Sequence, residues 1–353
     1  MMGNKIRSVL VAGDFSWPIY EPDFCAGLRQ TGVVVSEFRA LRYLGPGALL
    51  RRAQGKFLVG PGIAIANLAL MERCRHLRPD VLLAWRTPWL APVTIRLCQR
   101  LGVRVVIYNN DDPFGPDANL RIWRRFRAIL SFADACFAYR EVNLDDYRQA
   151  GARRVGLLRS WFNPAVHHPV ELSTANQAKY GSDVVFVGHG ENDGRLDLLV
   201  QLADSGVKLR LFGPGWTRLL QGTVLERLLP VASLDGSDYT QAIAAAKIAL
   251  VFLSARNRDQ YTRRCFEIPA IGTLMLAPRT QELAGLFAED REAVYYSSAQ
   301  ELVDKAKRYC LDEQLRSRVA SAGRARCLRD GHDVASRATT FIHDLAQILS
   351  TSA

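Results

Sequence analysis

An alternation constrains this chain more than any other feature of its sequence. Short runs that are apolar on both faces are followed by amphipathic stretches of helical period, and the pattern runs through the chain twice. Strands of that kind cannot leave either face in water, so they belong in parallel sheets covered by helices. In the first half the predicted strands are Ser8–Ala12, Gly32–Phe38, Asp80–Trp85, Val103–Asn109, Ala133–Ala138 and Val155–Leu158. The segment Ser160–Lys179, with its prolines, adjacent histidines and polar stretch, breaks the rhythm and reads as a linker. The grammar then restarts with strands at Asp183–Val187, Val207–Phe212, Ile248–Leu253, Thr273–Leu276 and Ala293–Tyr296. At 353 residues the chain exceeds the length, about 250–300, at which single cores stop growing. The expected division is a domain over 1–165, a linker at 166–180, a second domain over 181–330 and a terminal helix over 331–353. Two doubly wound units in tandem are expected to leave a cleft where the carboxyl ends of both sheets face each other.

No apolar run approaches the ~18–20 residues that span a bilayer. The early apolar stretch Val9–Ala12 ends at Gly13-Asp14, too soon for a signal-peptide core. The seven cysteines are scattered and form no CxxC pair, which argues against a zinc site or disulfide framework and for a reducing cytoplasm. The net charge of +11 is unevenly placed. Residues 1–165 hold 24 Lys and Arg against 13 Asp and Glu, whereas residues 166–353 hold 22 of each. The first half is therefore expected to face something anionic: a membrane leaflet, a phosphorylated acceptor or nucleic acid. Two stretches concentrate the charge beside apolar residues. One lies within 41–60, with Arg51, Arg52 and Lys56, and the other is the helical run 119–130, with Arg121, Arg124, Arg125 and Arg127. No nucleic-acid motif is present, so nucleic acid is not expected, and an anionic membrane surface is a candidate partner of those stretches. A solvated basic surface would carry the same residues.

The strongest chemical signal lies between Val251 and Pro278, VFLSARNRDQYTRRCFEIPAIGTLMLAP. A strand runs into a loop holding Arg256, Arg258, Arg263 and Arg264, and a helix opens near Thr262–Cys265. Arginine forks at a helix N-terminus, where the dipole is positive, suit a diphosphate. Glu267, one turn in, can accept hydrogen bonds from sugar or ribose hydroxyls, and Asp259 precedes it by eight residues. The alternative is a charged loop with Glu267 as a first-turn dipole carboxylate. A second signal is VVFVGHG, a strand running into Gly188, His189 and Gly190, which lets backbone approach a ligand closely; LRLFGPGW repeats the theme. In the first half, Gly13 and Asp14 follow the first strand, and Asp111 and Asp112 follow the fourth. Those carboxylates can bind hydroxyls, act as a base or hold a metal, or simply make turns. No GxxxxGK[ST], HExxH, GxSxG or strand-linked GxGxxG is present. P-loop NTPases, zinc proteases, serine hydrolases and typical dinucleotide dehydrogenases are thereby disfavoured.

From about Asp183 to Leu345 the chain resembles the C-terminal domain of group-1 (family 4-like) glycosyltransferases, in the branch that includes spore-maturation CgeB-like proteins. The features that carry it are FVGHG followed by Arg195, LRLFGPGW, RNRDQYTRRCFEIPAIGTLMLAP, the QELAGLF helix, VYYSSAQELVDKAKRYC and SAGRARCL. YNNDDP and the stretch from ADACFAYREV to HHP more loosely resemble the family's acceptor domain. The family's two acids, separated by seven residues, match Asp259 and Glu267, with aspartate where many members have glutamate. Ala270-Ile271-Gly272 departs mildly from the usual pattern after the second acid.

The resemblance implies an α/β protein of the GT-B fold, two Rossmann-like doubly wound domains facing across a cleft. It implies transfer of a sugar from a nucleoside-diphosphate sugar without an obligatory metal or other cofactor. On that reading Asp259 and Asp112 are the catalytic candidates. Gly188, His189, Arg256, Arg258, Thr262, Arg264 and Glu267 bind the donor, and Gly13, Asp14 and Asp111 lie on the acceptor side. If configuration is retained, the donor phosphate can itself take the acceptor proton. The alternatives are a nucleotide-sugar epimerase of the same fold, which would need carboxylate acids and bases such as Asp14, Asp111 and Asp112, and a non-catalytic protein docking on an anionic surface.

Overall fold

The computed structural model describes residues 6–45 and 48–350, with the side chains of 48–52 left undescribed. Two compact units result. The first runs to Arg159 and also contains Arg256–Arg258 and the chain from Val334 onward; the second comprises Ser160–Ala255 and Asp259–Asp333.

The first unit is built on a six-stranded parallel sheet. Its strands are β1 (Ser8–Gly13), β2 (Val34–Arg39), β3 (Val81–Trp85), β4 (Arg104–Asn109), β5 (Ala135–Ala138) and β6 (Val155–Leu157), in the spatial order β2-β1-β3-β4-β5-β6. β3 (VLLAW) is buried at every position, and Leu10, Val105 and Ile107 have no exposed surface, as helices on both faces require. Val9 pairs with Val81 and Val81 with Arg104, which sets the central register.

The last helix, Val334–Ser350, belongs to this unit. It packs on the helix Glu21–Gln30, where Phe24 meets Phe341 at 5.5 Å between ring centroids. Gly27 makes the approach possible: a Cβ there would stand 2.7 Å from the carbonyl oxygen of Val334.

The second unit holds a five-stranded parallel sheet in the order β11-β10-β9-β7-β8. Its strands are β7 (Ser182–Val187), β8 (Leu209–Phe212), β9 (Ala246–Leu250), β10 (Leu274–Pro278) and β11 (Val294–Tyr296). The core lies around Val184, Leu199, Leu202, Ile248 and Leu302. Part of the segment read as linker is a short helix, Thr174–Tyr180, started by Ser173, whose hydroxyl accepts from the Asn176 N–H at 3.1 Å.

The connections place the sites. In the first sheet the chain steps from β1 out to β2, then returns to the far side of β1 as β3. In the second it steps from β7 to β8 and returns beside β7 as β9. Each return is a topological switch point, where the loops leaving two neighbouring strands part and open a crevice at their carboxyl ends. The loops concerned follow β1 and β3 in one unit, and β7 and β9 in the other.

Candidate functional site

In the second unit, the loop after β9 leads to the helix Arg264–Ile271, and Glu267 lies in its first turn with only 5% of its surface exposed. A buried carboxylate must be paired and hydrogen-bonded to stay charged. Arg263, one turn back, donates Nε–H to Glu267 Oε1 at 2.6 Å, and the Tyr239 hydroxyl donates to Oε2 at 2.7 Å. His167 Nε2 stands 3.7 Å from Oε1.

The state of that imidazole follows from its other nitrogen. Nδ1 accepts from the Asn163 N–H at 2.9 Å, so the proton of the neutral ring is on Nε2, toward Glu267. Burial pushes the His167 pKa below its ordinary value against the pull of Glu267, which keeps the ring neutral at neutral pH. Burial alone would push the Glu267 carboxyl up. The charge of Arg263 foremost, with the Tyr239 hydrogen bond and the Arg264 charge, outweighs it and holds the pKa at about 2. Tyr239, raised by burial and by Glu267 itself, remains a phenol donor.

Arg264 turns the other way. Its Nε–H donates to the carbonyl of Val187, the last residue of β7, and its guanidinium lies 5.8 Å from the Phe186 ring. A Cβ on Gly188 would stand 2.6 Å from Phe186 Cζ and 3.0 Å from Arg264 Nη2, so the glycine makes room for the ring and the arginine together.

The glycine loops after β7 and β8 interlock at this point. The Gly188 N–H donates to Phe212 O at 2.8 Å and the Gly190 N–H to Pro214 O at 2.9 Å. Trp216 donates Nε1–H to Gly188 O at 2.9 Å, which makes it a buried brace of the loop. Gly213 has φ +122°, and a Cβ there would fall 2.2 Å from Gly188 O, so only glycine fits. Arg195, buried at the head of the next helix, ties the loop shut. It grips both oxygens of Asp193 at 2.7 and 2.6 Å and donates to His189 O at 2.5 Å. The His189 side chain is exposed.

Asp259 closes its own loop: its N–H donates to Ser254 O at 3.1 Å, and its carboxylate accepts from the Ser254 N–H at 3.3 Å. Thr262 is buried, and its hydroxyl accepts from the Arg264 N–H at 3.4 Å. The N–H groups of Cys265, Phe266 and Glu267 are engaged by the carbonyls of Thr262 and Arg263. Positive potential at this helix start therefore comes from the arginine side chains and the dipole more than from open amides.

Two of the arginines expected around one diphosphate are deployed in the first unit. Arg258, at φ +48°, donates Nη2–H to Asp112 Oδ1 at 3.0 Å and to Asp146 Oδ2 at 2.6 Å, and Arg256 pairs with Asp117 at 3.2 Å. Asp112 also accepts from Asn143 Nδ2 at 2.8 Å and from the Phe114 N–H at 2.9 Å. Burial would raise its pKa, but Arg258 and these donors lower it, an arrangement suited to holding the loop more than to taking a proton.

At the switch point of the first sheet, Arg86 follows β3 in a left-handed conformation, φ +48°, and Phe15 follows β1 at φ +54°. Non-glycine residues held there mark positions over-determined by their surroundings. Arg86 lies 3.9 Å from Asp14 and 3.6 Å from Asp111. Burial raises the Asp14 pKa, with Arg86 pulling it back. Glu21, 1% exposed, reaches the same place: its Oε1 would be 2.7 Å from a Cβ on Gly13.

Reasoning from sequence brought out Glu267, Arg264, Gly188, Asp14 and Asp111. It missed His167, Tyr239, Glu21 and Arg86, and did not single out Arg263 as the partner of Glu267. The i,i+4 spacing of Arg263 and Glu267 was the one available signal.

Among the described residues no three His, Cys, Asp or Glu side chains gather in a way that could hold a metal ion, and no helix is long and apolar enough to cross a membrane. Residues 195–343 match the family model described as glycosyl transferase-like. No curated protein sequence matches the chain. Several solved structures share the fold across nearly its whole length. Anabaena HepE in complex with UDP-glucose is 14% identical, with 96% of this chain and 99% of that one covered and a TM-score of 0.66. Sucrose-phosphate synthase from Thermosynechococcus elongatus is 13% identical, with 98% and 100% covered and a TM-score of 0.71. The structure of trehalose-6-phosphate from Escherichia coli bound with UDP-2-fluoro glucose is 12% identical, with 96% and 99% covered and a TM-score of 0.65. The two parallel sheets are those of the GT-B fold.

Proposed function

We propose, for a GT-B chain whose residues 195–343 are glycosyl transferase-like, that it transfers a sugar from a nucleoside-diphosphate sugar to a hydroxyl acceptor. The observation that carries this reading is Glu267. A carboxylate buried at the switch-point end of the second sheet is held ionised by Arg263, with Arg264 reaching across to the strand end at Gly188. An ionised carboxylate accepts hydrogen bonds from sugar or ribose hydroxyls. Arg264 and the positive end of the helix dipole offset the charge that develops on the departing diphosphate without needing a metal.

In the retaining course that we favour, the bond from the anomeric carbon to the phosphate oxygen breaks while the bond to the acceptor oxygen forms. The acceptor proton passes to the leaving phosphate oxygen. Asp259 is assigned to the neighbourhood of the transferred sugar, and Gly13, Asp14 and Asp111 to the acceptor side, where Arg86 orients the two carboxylates.

The test is binding and turnover with a panel of nucleotide sugars. Glu267→Ala and Arg264→Ala each lower turnover at least ~10²-fold, since each removes a charged contact beside the reacting centre, and both stay folded, Glu267→Ala with a lowered melting temperature because Arg263 loses its buried partner. Two folded variants with unchanged turnover would refute the assignment. One observation favours a second reading: the raised pKa of Asp14 suits a protein acid, as a nucleotide-sugar epimerase requires. Conversion of the donor sugar in the absence of any acceptor would select it.

We also propose that the first unit rests on an anionic leaflet. The apolar side of the helix Arg121–Leu130 is buried through Phe126, Ile129 and Leu130, so the helix itself does not insert. Arg127 is spent on Pro113 O and Ala118 O, and Arg125 donates to Leu58 O. That last bond brings the helix to the end of its neighbour Ala48–Phe57, where Phe57, Val59 and Leu120 are about half exposed and Lys56, Arg121 and Arg124 point to solvent. The side chains of Arg51 and Arg52, expected to contribute, lie outside the described residues.

A further inference from the structure

The helix Arg121–Leu130 keeps its apolar side for the core, so any entry into a bilayer falls to another element of the first unit. The helix Pro61–Leu77 carries the surface for it. Its inner side, Gly62, Ala66, Asn67, Leu70 and Cys74, is buried. Over the first two turns its outer side is apolar as well. Pro61, Ala64, Ile65 and Leu68 stand at i, i+3, i+4 and i+7, all four exposed, Ile65 by 52% and Leu68 by 62%. A lone exposed leucine is ordinary, but an apolar face left in water on a helix whose other side is already buried is not.

That face is held outward. Asn67 donates to Trp89 O at 3.0 Å and accepts from the Ala91 N–H at 2.9 Å and the Thr94 hydroxyl at 2.8 Å. At the start of the helix, Gln54 accepts from the Gly62 N–H at 2.7 Å and donates to Leu44 O at 2.8 Å. Turning Ile65 and Leu68 inward would break every one of these bonds.

Its neighbours are basic. Phe57 and Val59, both exposed, precede the helix on either side of Leu58, whose carbonyl accepts from Arg125 at 3.3 Å. Lys56, Arg121 and Arg124 are therefore close by and solvated. The sequence has no Asp or Glu between Glu37 and Glu72, and none within Arg121–Leu130. This composition selects the occupant. A two-fold contact with a second copy would press bases on bases, with no carboxylate from either stretch to answer them. Anionic headgroups answer them, and the acyl layer beneath takes the aliphatic side chains.

We propose that Val59, Ile65 and Leu68 form a crest that inserts among the lipids of an anionic bilayer, with Lys56, Arg121 and Arg124 on its headgroups. The crest rests on the membrane reading of the first unit and adds to it a hydrophobic component that salt does not screen.

The experiment uses the full chain and vesicles of phosphatidylcholine with rising phosphatidylglycerol. Sedimentation at low and high salt compares the wild type with Ile65→Ser combined with Leu68→Ser, and an unchanged melting temperature shows that this surface variant folds. Depth is read from a nitrobenzoxadiazole label on Leu68→Cys, with Cys310, partly buried where the other cysteines are buried, replaced by serine. The helix runs down to β3, so its first turn stands roughly 25 Å up from that end of the sheet. Exposed Val34, at the amino end of β2, thus gives a control label as Val34→Cys. On vesicles the label on Leu68→Cys shifts to the blue and is quenched by brominated acyl chains, and the control does neither. The double serine variant partitions at least ~10-fold more weakly at both salt concentrations, as the loss of two inserted aliphatic side chains requires. Vesicle binding that the serine variant leaves intact, or a Leu68→Cys label that stays in a polar environment on bound protein, overturns the crest and leaves the electrostatic contact standing. Absence of binding at low salt removes the membrane reading together with the crest. Dimers of the wild type in lipid-free sedimentation that the serine variant abolishes would give the face to a second copy and overturn the proposal.

Discussion

Replacing Arg263 by methionine isolates the electrostatics of the Glu267 cage, because it keeps most of the side-chain volume and removes the counter-charge. The Glu267 pKa stands at about 2 against an ordinary 4.5. At about 1.4 kcal/mol per unit, the native environment favours the ionised form by roughly 3 kcal/mol. The sign follows from the depressed value. In the native protein this stabilisation is present above the unfolded pKa of 4.5 and is lost as pH falls toward 2. Without Arg263, burial dominates and the folded pKa rises above 4.5. The variant then carries a costly carboxylate at neutral pH and recovers as it protonates. The expected loss is about 3 kcal/mol at pH 7.5, in the range found when a buried pair loses one partner. At roughly 2–4 °C per kcal/mol for a domain of this size, melting falls by about 6–12 °C. The gap to wild type narrows steadily at about pH 5.5 and pH 4, because the variant regains stability while the wild type loses its own. Near-UV circular dichroism melts at the three pH values measure it, and Arg263→Met with Glu267→Gln should recover most of the loss. A melting shift below about 2 °C at neutral pH, or one of the same size at pH 4, would refute the reasoning, since both require a carboxylate that depends little on Arg263.

Three further outcomes are expected. Transferase activity survives EDTA, since Arg264 and the helix dipole supply the charge at the leaving group; complete loss restored by magnesium or manganese contradicts that mechanism. Gly213→Ala, which puts a Cβ 2.2 Å from Gly188 O at φ +122°, lowers the melting temperature and nucleotide affinity together, whereas Gly32→Ala, also at positive φ but with open space around it, lowers stability alone; calorimetry and UDP titration separate the two. The chain binds vesicles in proportion to their anionic lipid, with salt weakening binding, and Lys56→Glu with Arg121→Glu and Arg124→Glu weakens it further, each basic residue contributing about 1 kcal/mol. Sedimentation that ignores anionic lipid at low salt removes the membrane proposal and leaves a soluble anionic acceptor to explain the charge.

The sequence by itself determined the class of the fold, because a strand such as VLLAW, apolar at every position, can be buried only between two helical layers. It also determined the helix Arg264–Ile271 and its stop, since Gly272 takes φ +94°, which other residues resist. Both are local facts: periodicity and backbone sterics read over a few residues. What it left open are choices between distant partners. Two arginines stand side by side at 263 and 264, and consecutive helix positions point about 100° apart, so one faces Glu267 and the other Val187. Only the tertiary fold, which brings the carbonyl of Val187 at the end of β7 to Arg264, settled which. Arg258 found its carboxylate 146 residues back at Asp112, which no local pattern announces. His167 entered the cage from a segment that read as linker, and Val334–Ser350 docked on Gly27, whose missing side chain has no meaning until that helix arrives. The strand order was likewise beyond sequence, and with it the switch points that carry both sites. Periodicity says that strands are buried and parallel, but which strand lies beside which is decided by the total surface each arrangement removes from water, a property of the assembled sheet alone.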